Sequence, residues 1–354
     1  MDRPTVDVYE RSATDYATAR GVGNGERAQA FAASVATGGV RLDLGCGPGH
    51  HLPLLGRPVV AADAAAAMLD VVPQHAPWAW RVRCDQEALP FRRGALAGVW
   101  ANKCLQHVEA GRLPLALAGL HRALAVGGRL ALTVFRGDGT WTSDDDLPGR
   151  FFALWQPEEL VDLLTGAGFT GIHADMTGGE WPRVEIDAVR ARTLADTVAP
   201  GMRLLMCGLN PSLYAADAGI GFARPGNRFW PAMRAAGLTA ADRDPAHLLV
   251  HDGIGMTDLV KRATVAAAEL SADEYAAGVA RVERLCRRLS PAAVCLVGLA
   301  GWRAVLDRRA VAGWQPRSLG GSPVYLMPST SGLNASSQVA DLADHLRRAS
   351  AGPD

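Results

Sequence analysis

Three short segments in the second half of the chain carry the residue types best suited to chemistry on a bound ligand. Gly208-Leu209-Asn210-Pro211-Ser212 follows an apolar run, and Phe222-Ala223-Arg224-Pro225-Gly226-Asn227-Arg228-Phe229-Trp230 comes shortly after it. Met327-Pro328-Ser329-Thr330-Ser331-Gly332-Leu333-Asn334 follows a later apolar run. Asn210 is a carboxamide, which is not basic and cannot abstract a proton as an aspartate would. Taken singly, Asn-Pro initiates a turn, Ser-Thr-Ser caps a helix and Arg-Phe-Trp packs a core. The first and third segments follow strands, which puts two loops at a common sheet edge, where α/β folds bind ligands.

The first half has its own loop, Leu42-Asp43-Leu44-Gly45-Cys46-Gly47-Pro48-Gly49. Its glycines stand where a backbone must turn tightly and approach a ligand closely. A dinucleotide fingerprint would need glycine at position 50, where the chain has His50, so a nicotinamide cofactor is disfavoured. Asp63 ends the next apolar run and is placed to accept ribose hydroxyls; Asp85, after the third, is placed to accept an adenine amino group. His50, His51 and His107 are candidate bases, although single histidines near a loop are more often structural.

The elements that must position these residues are short apolar runs alternating with amphipathic stretches. VRLDL, PVVAAD, GALAGVWANK and GRLALTVF imply a mostly parallel sheet with helices on both faces, PEELVDLLTGAG a helix, and the segment 180–192 a final edge strand. The pattern then restarts with RLLMCGLNPS, helices over 228–236 and 272–289, strands at AAVCLVG and PVYLMPST, and a closing helix over 337–348. Two α/β domains in series follow, 1–193 and 194–354. The 36 basic and 36 acidic residues cancel, so any phosphate-binding surface must be local. Only Lys103 and Lys261 are lysines, a bias read as compositional. Six scattered cysteines form no zinc or iron-sulfur pattern, no metal is expected, and the lack of a leader or a long apolar stretch predicts a cytoplasmic chain without a membrane span.

In series, LDLGCGPGHH, VVAADAAAAML, DQEALPF and KCLQHV resemble class I S-adenosylmethionine-dependent methyltransferases. The resemblance implies a Rossmann-like sheet and an S-adenosylmethionine site in which Asp43, Gly45, Gly47 and Gly49 shape the pocket, Asp63 binds ribose and Asp85 binds adenine. The acceptor is not indicated: neither an Asn/Asp-Pro-Pro-Tyr motif nor a Pro-Cys nucleophile is present. A fold kept without methyl transfer is a competing reading.

From about Thr197 to Ala349 the chain resembles the mismatch-specific uracil/thymine branch of the uracil-DNA glycosylase superfamily, with its GINPG-like loop, MPS-like loop and intervening NRFW stretch. The resemblance implies a three-layer α/β/α domain acting on double-stranded DNA with a mismatched or damaged pyrimidine, and needing no cofactor. Base excision requires the nucleotide to leave the stack. Phe222, Ala215 and Leu209 would then surround the base, and small Ala215 would leave room for the thymine methyl group. Leu333 would wedge into the vacated space, Gly332 would let its loop approach, and Ser329 and Ser331 would bind phosphates. Asn210 would position the water of a monofunctional enzyme that cleaves no strand. Ser212 departs from the glycine usual in the first motif, and Asn334-Ala335 lacks the arginine common near the wedge. Arg224 and Arg228 are either phosphate contacts flanking Phe222 or parts of a solvated loop and a salt-bridged helix start, and the arginines at 281, 284, 287 and 288 read as a soluble helix face. In the alternative reading, the glycosylase-like fold is a damage-sensing module for the methyltransferase.

Overall fold

The computed structural model describes residues 2–334 and 336–353. The chain divides into two compact units, Met1–Ala191 and Arg192–Asp354.

The first unit opens with two helices, α1 (Arg3–Ala19) and α2 (Gly25–Ser34), before β1 (Arg41–Leu44), α3 (Leu52–Leu55), β2 (Val59–Asp63) and α4 (Ala66–Val71). It continues through β3 (Trp80–Arg83), β4 (Leu96–Asn102), α5 (Leu113–Ala123), β5 (Leu124–Phe135), a hairpin of β6 (Thr140–Thr142) and β7 (Phe151–Ala153), α6 (Pro157–Gly166), β8 (Phe169–Thr177) and β9 (Arg183–Arg190). The seven-stranded sheet has the order β3-β2-β1-β4-β5-β9-β8, with β9 antiparallel to both of its neighbours. Leu42, Leu44, Val134 and Ile186 face α5 and α6, while Ala61, Trp100 and Ala131 face α2 and α3. Burial on both faces explains why β1 and β2 read as unbroken apolar runs.

The segment 180–192 is not an edge strand: β9 lies between β5 and β8, and β8 forms the edge. Residues of β9 alternate between buried and exposed, as half-covered strands do. In β8 most residues face solvent, so FTGIHADMT carries too little apolar signal to announce itself. Helices α1 and α2 were not foreseen either, because their apolar residues are few and spread among charges.

The second unit contains β10 (Leu204–Gly208), α7 (Leu213–Ala218), α8 (Phe229–Ala235), α9 (Pro245–Val250), β11 (Ile254–Asp258) and α10 (Ala272–Leu289). β12 (Val294–Val297), α11 (Ala300–Val305), β13 (Gly313–Trp314), β14 (Val324–Met327) and α12 (Val339–Ala351) complete it. Its sheet has the order β11-β10-β12-β14-β13, parallel except for the last strand. Met206, Cys295, Tyr325 and Met327 meet α8 and α12 on one face. Cys207 faces the other way, toward Arg281 and Cys286 of α10. The chain runs from β10 outward to β11 and returns to β12, so β10 and β12 bracket the point where strand order reverses, the usual ligand crevice of such sheets.

The limits of α10 follow from its sequence: Ser271 accepts from the Glu274 amide while the Glu274 carboxylate accepts from the Ser271 amide. Gly278 lets this helix press on the backbone of the segment after β11, since a Cβ there would lie 2.3 Å from the Leu259 carbonyl oxygen. Gly278→Ala should therefore cost about 1–3 kcal/mol in urea unfolding of the full chain. Gly119 in α5 has open space around it, so Gly119→Ala should raise stability by about 0.5–1 kcal/mol.

Candidate functional site

In the second unit the carboxyl ends of β10, β11 and β14 bring the sequence-selected loops together. Asn210 leaves β10 with its side-chain amide donating to the Thr264 hydroxyl at 2.8 Å and to the Arg262 carbonyl at 3.0 Å. Both amide protons are thus occupied. Oδ1 accepts no hydrogen bond among the described residues and is left as the acceptor that can orient a water.

The segment that holds Asn210 is itself fixed by a buried ion cluster. Asp196 accepts from Lys261 Nζ and Thr257 Oγ1 at 2.7 Å on one carboxylate oxygen, and from Arg281 Nη1 at 2.7 Å on the other. Arg281 also donates to the Asp258 carbonyl. Burial pushes the Asp196 carboxyl up, but Arg281 and Lys261 outweigh it and hold the group below the usual carboxylate range. Arg281 is 5% exposed, so the expected soluble face is wrong at this position. Helical periodicity could not tell which arginine turns inward.

Phe222 stacks on Phe229 at 4.1 Å between centroids and 15° between planes, and it has φ +57°, a conformation that costs energy for a bulky residue. Beside it lies Asp258, a residue that sequence reasoning missed. A Cβ on Gly208 would stand 2.5 Å from Asp258 Oδ1 and 3.2 Å from Phe222 Cζ, so glycine is what allows ring and carboxyl to close on the end of β10. No described residue hydrogen-bonds the Asp258 carboxyl. Burial raises its pKa to about 6, Asp196 pushes it the same way, and Lys261 and Arg281 pull against them. The available signal was a carboxylate ending a parallel strand, hidden because the continuous stretch HLLVHDGIGMTDLV holds both the end of α9 and the whole of β11.

Leu209 turns toward Gly301 of α11, and Ala215 is buried in the first turn of α7. Ser212 caps α7 by accepting from the Ala215 amide. Leu333 is 88% exposed at the tip of its loop, and a Cβ on Gly332 would lie 3.0 Å from the Gly226 carbonyl, which brings this loop against the one bearing Phe222. Ser329 and Ser331 hydroxyl oxygens accept from the amides of Ser331 and Leu333. Arg228 forms no salt bridge among the described residues: it donates to the carbonyls of Ser331, Asn334 and Ser337 and so clamps the Leu333 loop. Arg224 extends into solvent. Ala335, noted for the missing arginine, lies outside the described residues.

The first unit has a cavity at the carboxyl ends of β1, β2 and β4. Asp43, Gly45, Gly47 and Asp63 line it; Gly49 and Asp85 are not among its lining residues. Gly49 instead turns the chain into α3 at φ +93°, with Leu52 and Val72 against it. Asp85 Oδ1 accepts from the Glu87 amide as a turn cap, and Cys84 and Gln86 flank the cavity in its place. Asp63 accepts from the amides of Gly47 and Ala65, both at 2.9 Å. Burial raises Asp43 well above the usual range, and its Oδ2 has no partner among the described residues; the same holds for Gln86 Nε2. Gly47 faces open space, its nearest neighbour being the Tyr16 ring. Unsatisfied polar atoms around an open glycine cradle fit a polar nucleoside ligand.

Tyr9 and Tyr16 of α1, unnoticed in the sequence, also line this cavity. His107 lines it too but is committed. Its Nδ1 donates to the Phe151 carbonyl at 2.6 Å, so Nε2 accepts from Tyr9 Oη at 3.1 Å. Burial pushes the imidazole down to about 4, which keeps it neutral. His51 donates to the Gly23 carbonyl, and the His50 ring packs edge-on against His75.

With these geometries in place, the comparisons agree with both halves. Residues 195–349 match the uracil DNA glycosylase superfamily and residues 42–132 match a methyltransferase domain, so the chain carries one domain of each kind in series. Solved structures similar to this chain include an S-adenosylmethionine-dependent methyltransferase from Methanosarcina mazei, 18% identical, covering 45% of this chain and 95% of its own, at a TM-score of 0.41. Another is the 1,6-didemethyltoxoflavin-N1-methyltransferase of Burkholderia thailandensis, 22% identical over 52% and 88% of the two chains, at a TM-score of 0.43. The [4+2]-cyclase SpnF is 18% identical over 47% and 81%, at 0.39. Among the described residues no helix is long and apolar enough to cross a membrane, and no group of three or more His, Cys, Asp or Glu residues is placed to hold a metal ion.

Replacing Arg228 with methionine removes the donors that hold the Leu333 loop. Amide hydrogen exchange over Ser329–Asn334 should accelerate by about tenfold or more, with protection in β10 and β12 unchanged. Unchanged exchange in the loop would mean that it is held by other contacts.

Proposed function

We propose that the C-terminal domain is a monofunctional DNA glycosylase of the mismatch-specific type, which hydrolyses the N-glycosidic bond of uracil paired with guanine and leaves an abasic site. The reading rests on one convergence: a water-orienting amide at Asn210, a strained and stacked ring at Phe222 and an exposed apolar tip at Leu333, all borne by loops at one sheet edge. A module that merely binds DNA has no use for an amide whose two protons are tied down and whose oxygen is free.

The extruded pyrimidine stacks on Phe222, while Leu333 fills the gap left in the duplex. Asn210 Oδ1 orients a water toward the anomeric carbon. Because the amide cannot take its proton, bond breaking runs ahead of water attack, and negative charge builds on the departing base. Asp258, when protonated, donates a hydrogen bond to a carbonyl of that base and stabilises the charge; as a carboxylate it repels it. The N-terminal methyltransferase domain is proposed to use S-adenosylmethionine, whose methyl group is the one transferred. Asp43, Asp63, Gly45, Gly47 and Gln86 would hold it.

Single-turnover base release from G·U, G·T, A·U and single-stranded uracil substrates tests the glycosylase. G·U should be the best substrate, and Asn210→Ala should slow its release by about a hundredfold or more while duplex binding persists. The rate should fall as pH rises through about 6, where Asp258 loses its proton. Asp258→Asn keeps a donor at every pH and should flatten that fall. No release from any substrate by a protein that still binds duplex would favour a damage-sensing role instead.

A further inference from the structure

The lining of the cavity in the first unit divides by charge. Asp43 and Asp63 act on one another electrostatically, with Glu10 adding to the charge around Asp63. Toward the end of β4 the character reverses, with Lys103, Arg20 and His51 in the lining. The groups that act on Lys103 are Arg183, Arg20 and Glu185, and it in turn acts on His51. Arg20 is paired with Asp146 at 2.6 Å. Glu185 is engaged by Arg27 at 3.6 Å and by the Asn24 amide at 3.2 Å. The Lys103 ammonium is left with no hydrogen bond or ion pair among the described residues, its backbone amide alone being engaged, by the Thr133 carbonyl.

Two further features set this lysine apart. It has φ +59°, an uncommon backbone conformation for a residue with a side chain, and such strain collects at functional sites. It is also one of two lysines among 36 basic residues, and the other, Lys261, sits in the buried ion cluster. Where arginine is the default cation, a lysine marks a place suited to a compact ammonium on a flexible stem. A partly buried ammonium with no counter-ion is costly unless a ligand supplies one.

We infer that Lys103 seats an anionic group of the methyl acceptor, and that the acceptor is an anionic small molecule rather than an amine or an uncharged base. This rests on the methyltransferase reading. A sulfonium cofactor with its ammonium is cationic overall and suits the acidic half; the basic half disfavours both that cation and an amine acceptor. Burial holds the imidazoles of His50, His51 and His107 below their usual range, so the cationic groups of this lining are Lys103 and Arg20.

Having two lysines makes the test direct, because lysine labelled with carbon-13 gives two ε-carbon NMR signals, and Lys103→Arg identifies the one of interest. On the full chain, calorimetry first asks whether S-adenosylhomocysteine binds, with Asp63→Ala as the control that should weaken it. Absence of wild-type binding would overturn the methyltransferase reading itself. Lys103→Met should leave that affinity within about twofold; a loss of about tenfold would assign Lys103 to the cofactor's carboxylate and overturn the inference. With S-adenosylhomocysteine saturating, benzoate and phenyl phosphate should shift the Lys103 signal saturably while benzamide and benzylamine do not. No saturable shift with either anion, or equal shifts with all four probes, would also overturn it.

Discussion

The second unit depends on a single buried carboxylate. Asp196 lies between Lys261 and Arg281, with the Thr257 hydroxyl on one of its oxygens, and these partners come from β11, the segment after it and α10. Removing one partner from such a cluster strands a charge in a poorly solvated site, which is far costlier than replacing the whole set with apolar groups. What the ions contribute here is position. They fix the stretch from Thr257 to Thr264, and that stretch supplies the two acceptors that hold the Asn210 amide. The same charges surround Asp258 without touching its carboxyl, so the fold that positions Asn210 also sets the proton affinity of its neighbour.

Much of this was legible in the sequence, and the boundary of legibility is physical. Helix α10 could be read because Ser271 and Glu274 cap it and its apolar residues recur on one face. The meeting of the loops that bear Asn210, Phe222 and Leu333 could be read because each has residue types that are unusual together. Asp258 could not, since its meaning comes from lying beside Gly208 in a parallel register. Arg281 was misjudged because periodicity gives a face and not its surroundings. The same limit explains Asp85: a turn within DQEAL points its carboxylate at a backbone amide and leaves Gln86 at the cavity. Tyr9 and Tyr16 were invisible because a polar N-terminal helix offers no sign of what it covers.

The two halves use their sheets in the same manner for different chemistry. Each gathers its functional groups where strand order reverses, at β1 and β4 in one and at β10 and β12 in the other. In each, a residue with a side chain accepts a left-handed backbone at that edge, Lys103 and Phe222 respectively. In the second unit the functional groups are a restrained amide and a stacked ring; in the first, a glycine cradle with carboxylates beside it.

The account turns on whether Asn210 acts through an amide held in place by its neighbours, and Thr264→Val tests that most directly. Valine keeps the shape of threonine but cannot accept the 2.8 Å hydrogen bond from Nδ2. If the restraint sets the catalytic geometry, single-turnover release of uracil from G·U duplex should fall by about tenfold or more, with duplex affinity and thermal stability close to wild type. A Thr264→Val protein that releases uracil at the wild-type rate would contradict the assignment of Asn210 as the oriented, water-holding residue.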